Sequence, residues 1–418
     1  MRRLPYFAAA ILPFMLVLAV RAQQLCAPSN LQAEAQRVLA LQEHLLAVPV
    51  QPMDETVSPR TAAQIASFKS ELSAAVHQWM ICRVPSTESA ATLQRHLARW
   101  LDANLPSKHP SRKEPTHQPA SHSVYGADLH IVVDQLNDRP RFLGVLAGFD
   151  ISCGDDHLLM LYERKDHRWQ RVLFWKSGKY KQISGAFGDF FDYALLPPSI
   201  DGAWEVVTAH GTPWCTSRFS GFRMDLLQIS EDGRPPRLLF HRQGAYSRNG
   251  HEPRLRATPH GFQLQIATSS LDTHQFTKTS IYRYRIQNHK VQRVQPVAAT
   301  PSGFVDAWLQ APWTEASHWC AAGQLSPLHH LHAAFTSPTR FKAVVYTQFV
   351  YKAVRKCSSD PHRFQVQFQE AFARHRKVTA RAQLYFLLER HDDHFHMLSA
   401  SSKPNPACNG PNLISPDK

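Results

Sequence analysis

Around residue 124 the apolar pattern of this 418-residue chain changes period, and that change constrains the fold more than any other feature. Upstream, apolar side chains recur at helical spacing; downstream they alternate in twos. A period-two pattern does not sit on a helix face, and a 3.6 pattern does not fit a half-buried strand. The sequence therefore predicts an α+β, mainly β protein with a helical unit first.

Residues 23–105 are assigned to an antiparallel helical domain. Ser29 caps the first helix, with Gln32 as its capping-box partner. Ser58 caps the second, with Pro59 in the first helical position, where a missing N–H costs nothing. Ile65, Phe68, Leu72, Val76 and Trp79 form its apolar stripe. The third helix follows Pro85-Ser86 and buries Leu93, Leu97, Trp100 and Leu101. Residues 106–123 hold four prolines and no large apolar side chain, so they form a linker.

The region 124–299 reads as a repeated four-stranded β-meander, propeller-like or sandwich-like. RVLFWKSGKY at 171–180 matches RLLFHRQGAY at 237–246, an offset of 66 residues. A later echo pairs LYERKDHRW at 161–169 with LLERHDDHF at 387–395. In architecture alone this pattern resembles exported propeller proteins, and no diagnostic motif accompanies it. Residues 300–404 form a mixed helix and strand region, with helices starting at Pro301, Pro312 and Ser326-Pro327. Residues 405–418 are a tail.

Residues 1–22 have the form of a secretory leader. Arg2 and Arg3 precede an apolar run, Phe7 to Val20, and Val20-Arg21-Ala22 offers a cleavage site. The expected compartment is the periplasm or the cell exterior, with no transmembrane segment after cleavage. The formal charge of +14 becomes +11 without the leader, 44 Lys+Arg against 33 Asp+Glu. The basic residues are scattered among acids, with no stripe or RNA-binding motif, so nucleic acid is not an expected partner.

Export makes the seven cysteines disulfide candidates. None has metal-ligand or CxxC spacing. Many connectivities are open. The one favoured is Cys26–Cys82 across the helical hairpin, Cys153–Cys215 between matching places of consecutive repeats, and Cys357–Cys408 flanking the last sheet. Cys320 is then left free.

No motif of a serine hydrolase, zinc protease or nucleotide-binding loop is present. Gly185 and Gly188 lack the spacing of a phosphate loop. His391-Asp392-Asp393-His394-Phe395-His396 is the densest group of ligand-type side chains. His394 and His396 share a strand face, but the preferred reading is a hydrated hairpin turn, and no metal is assigned. His329, His330 and His332 read as ordinary helix residues. The most unusual loop, 209–215, supplies the binding candidates His210, Trp214 and Arg218; its bland reading is a connection fixed by a disulfide. The expectation is a non-catalytic binding or scaffold protein without a cofactor, its partner an anionic envelope polymer or carbohydrate. The alternative is a hydrolase of such polymers using His210, Asp393 and His394.

Overall fold

The structure, a computed structural model, describes residues 26–50, 53–83, 88–105, 125–136, 141–166, 168–199, 202–229, 235–287, 290–336, 346–374 and 377–414. The leader and the linker at 106–123 lie outside these residues.

Three helices come first: α1 (Pro28–Leu46), α2 (Pro59–Arg83) and α3 (Ala90–Asn104). Ser58 caps α2, its Oγ accepting the Thr61 N–H at 3.1 Å. Two starts differ from expectation. Helix α1 begins at Pro28 behind Ala27, with no side-chain cap. Pro28 lacks an N–H and has its φ preset for a first turn, so the helix starts one residue before Ser29. Helix α3 is capped by Ser89, which accepts the Thr92 N–H at 3.2 Å. The cap that satisfies a first-turn donor sets that start, and Pro85-Ser86 lie outside the described residues.

The described strands form four open sheets of four, each an antiparallel run of sequence neighbours. The first holds β1 (His130–Gln135), β2 (Phe142–Ile151), β3 (Gly154–Lys165) and β4 (Arg168–Lys176). The second holds β5 (Gly188–Leu195), β6 (Glu205–Thr212), β7 (Phe219–Gln228) and β8 (Arg237–Ser247). The third holds β9 (Arg254–Thr258), β10 (Gly261–Ser269), β11 (Thr277–Gln287) and β12 (Lys290–Val294). After α4 (Pro301–Gln310), α5 (Trp313–Ala316) and α6 (Leu325–Thr336) comes the fourth sheet. It holds β13 (Tyr346–Cys357), β14 (Asp360–Arg374), β15 (Lys377–His391) and β16 (His394–Ser401).

The matching decapeptides begin in β4 and β8, each the fourth strand of its sheet. The late echo spans the β3–β4 and β15–β16 turns, where Asp166 and Asp392 have φ of 48° and 52°. Aspartate tolerates that left-handed conformation through its short polar side chain.

The chain divides into two compact units. The first comprises residues 1–191, 198–217 and 221–242. Its core joins the α2 stripe to β2 and β3, with Phe68 edge-on to Phe149 at 5.0 Å between ring centroids. One cation breaks the stripe. Lys69 is 0% exposed, and its Nζ donates to Asp156 Oδ2 at 2.8 Å, to the Ser177 carbonyl at 3.1 Å and to Ser177 Oγ. Asp156 also accepts from the Tyr180 hydroxyl at 3.1 Å and the Phe187 N–H at 3.1 Å. A buried ion pair is tolerable only when its remaining donors and acceptors are satisfied, as they are here.

The second unit packs α4 and α6 on the fourth sheet through Phe304, Trp308, Phe335, Phe368 and Phe386. His332 is bound into it, Nε2–H donating to the Trp308 and Ala311 carbonyls at 3.2 and 3.0 Å. Three disulfides are formed: Cys26–Cys82, Cys153–Cys215 and Cys357–Cys408. Cys320 is a buried thiol that accepts the Trp308 indole N–H at 3.3 Å, and burial pushes it up from the usual thiol range. Disulfides of this kind fit an oxidising, extracellular or periplasmic compartment. Among the described residues no helix is long and apolar enough to cross a membrane.

Candidate functional site at the rim of the first sheet

Strand register builds a two-row cluster on one face of the first sheet. His130 of β1 stands opposite Gly148 of β2, and Gly148 stands opposite His157 of β3. One pleat period away, Asp150 stands opposite Asp155. Asp128 completes that row, because the Asp150 backbone pairs with Gly126 and Ala127 at 2.8 Å. Side chains two apart on a strand share a face, so three carboxyls lie beside two imidazoles. Asp156, one position out of phase, points the other way and holds Lys69.

Gly148 is the floor between the imidazoles. A Cβ there would lie 2.6 Å from His130 Cε1 and 2.7 Å from His157 Cδ2, so no side chain fits without moving a ring. The rings meet edge to face with centroids 5.8 Å apart. Each Nδ1 is committed to a backbone carbonyl, His130 to Asp128 at 3.0 Å and His157 to Phe187 at 2.7 Å. Burial holds His157 below the usual imidazole range. With Nδ1–H donating, its Nε2 carries the lone pair.

Asp150 is the chemically distinct group. Burial first, then the Asp128 and Asp155 carboxyls, push its pKa up to about 7. Like charges in hydrogen-bond contact cannot all ionise, so the row keeps a proton near neutral pH.

The loop that carries Trp214 is seated on the same rim. The Cys153–Cys215 disulfide ties it to the β2–β3 turn. Pro213 packs within 3.0 Å of the Cβ position of Gly154 and 2.5 Å of that of Gly188. Trp214 is 36% exposed. A cavity of about 430 Å³ is lined by Tyr125, from the segment before β1, and Ser152, just after β2, with His44, Asp54, Arg60 and Gln64.

The other candidates are placed as follows. His210 is fully buried between Phe187 and Phe191, with ring centroids at 4.0 and 5.9 Å. Burial drives its pKa down to about 3, so it is neutral, and its Nε2 has no partner among the described residues. Arg218 belongs to the second unit, where its guanidinium lies 5.4 Å over the Phe276 ring. Asp393 and His394 adjoin each other on the β15–β16 turn, also in the second unit, with His394 Nδ1 3.3 Å from Asp393 Oδ1. Sequence reasoning missed the carboxyl row. Its signal is the pattern Asp128-x-His130 leading into β1, Gly148-x-Asp150 on β2 and Asp155-x-His157 on β3; Gly154-Asp155-Asp156 reads as a plain turn without the register.

No family model matches the chain, and no curated protein matches it. Among solved structures it is similar to a mutant Fusarium graminearum α-L-arabinofuranosidase in complex with an iminosugar inhibitor. The identity is 9% and the TM-score 0.25, over 64% of this chain and 66% of that one. The match spans just under two thirds of that enzyme's length, and a likeness this distant carries no argument about fold or activity.

Proposed function

We propose that this is an exported saccharide-binding protein whose ligand lies along the rim of the first sheet. The observation that supports this reading is the Asp128–Asp150–Asp155 row with its retained proton. A protonated Asp150 donates to one hydroxyl while the carboxyl oxygens beside it accept from others, which suits a neutral polyol. Trp214 adds a half-exposed aromatic face on the same rim. Three acidic side chains in one row disfavour an anionic polymer at this place.

One observation favours hydrolysis as a second reading. A carboxyl with a pKa near 7 is what general-acid catalysis at neutral pH requires. Calorimetric titration with neutral oligosaccharides, paired with assay of new reducing ends, separates the two. For a binding protein, Asp155→Ala abolishes binding, and no reducing ends appear with the wild type. For a hydrolase, Asp150→Asn removes turnover by two or more orders of magnitude while the ligand still binds. Absence of binding across a broad neutral panel overturns both.

A further inference from the structure

The outward face of the β15–β16 hairpin is unexplained by that reading. His391 stands opposite His394, and Glu389 opposite His396. Phe395 and Met397 alternate with the histidines and point into the core at 2% and 0% exposure. Four ligand-type side chains thus form a two-by-two grid on one face, which the strand period alone makes unavoidable. The ring centroids of His391, His394 and His396 are 5.2, 5.4 and 6.0 Å apart. Three imidazoles around a tetrahedral ion with metal–nitrogen bonds near 2.0–2.1 Å have centroids about 5 Å apart. Two residues two apart on a strand, plus one on the neighbouring strand, supply three nitrogens on a single side.

We propose that His391, His394 and His396 form a binding site for a divalent transition metal of the zinc and copper class. Glu389 supports it from outside the ligand set. It holds His391 Nε2 at 3.1 Å and is itself held by Arg363 at 3.1 Å; a carboxylate partner of this kind orients a ligand ring and raises its basicity. As the side chains stand, no group of three or more His, Cys, Asp or Glu among the described residues is placed to hold a metal ion. Rotation of the half-exposed His391 and His394 rings about χ2, a broad torsion, closes the set.

The test is metal titration of the full chain after chelator treatment, with Zn²⁺ and Cu²⁺ by calorimetry and Co²⁺ by visible absorption. The expected result is one equivalent bound, with the intense visible bands of a tetrahedral nitrogen-ligated Co²⁺. Glu389→Gln weakens that equivalent by about 10–100-fold. His394→Gln with His396→Gln removes it, with the metal-free melting temperature unchanged because both rings face outward. His329→Ala and His330→Ala leave it intact. If the double variant binds the metals as the wild type does, or if Co²⁺ gives only the weak bands of an octahedral ion, the proposal fails.

Discussion

At the scale of single residues, two aspartates next to each other in sequence do opposite work. Asp156 faces inward and neutralises Lys69; Asp150 and Asp155 face outward and crowd one another. Lys69→Met leaves Asp156 buried without its cation and is expected to cost about 3–5 kcal/mol in denaturant unfolding. Adding Asp156→Asn to it recovers part of that loss, because the pair is coupled. Asp150 behaves in the reverse sense. Its folded-state pKa lies above the unfolded value, so the native state binds the extra proton between about pH 4 and 7. Stability from this group is present below that window and falls as pH rises through it. Asp150→Asn removes the dependence and stabilises the protein at pH 8, by about 1 kcal/mol once solvent screening of a half-exposed group is allowed for. His210 contributes the opposite slope. Its pKa is depressed to about 3, so its contribution is full above about pH 6.5 and is lost on acidification. His210→Phe flattens that arm of the pH–stability curve.

At the scale of elements, the rim depends on how turns and loops are pinned. The β2–β3 turn carries Cys153, two residues before Asp155 on β3, and the disulfide fastens the Trp214 loop to it. Replacing Cys153 and Cys215 together by alanine is expected to cost about 2–4 kcal/mol. It also frees the loop, so saccharide affinity falls more than melting temperature alone predicts; equal affinity in the variant would show that the loop has no part in the site. Gly148→Ala tests the floor. The added Cβ displaces His130 or His157, which is read as changed imidazole shifts in NMR spectra with the sheet intact.

At the scale of the whole molecule, fold class was legible because it follows from periodicity. Strand cores such as Leu158–Tyr162 and Phe262–Ala267 announced themselves by composition and spacing, and all four sheets join neighbours in sequence. Helix starts were less legible, since Pro28 and Ser89 competed with nearby residues carrying equal local signals. The carboxyl row was hidden for a different reason. Asp128, Asp150 and Asp155 meet only when three strands are set in register, and register comes from tertiary pairing rather than from any one segment. The loop at 209–215 was visible as an odd composition, yet its aromatic and imidazole parted ways, His210 into the core and Trp214 to the surface. The most direct test of the account is a ¹³C-carboxyl titration of Asp150 with and without a bound neutral oligosaccharide. A midpoint near pH 7 that moves on binding is the predicted result. A midpoint near pH 4, or one indifferent to saturating ligand, would contradict the assignment of this rim as the functional site.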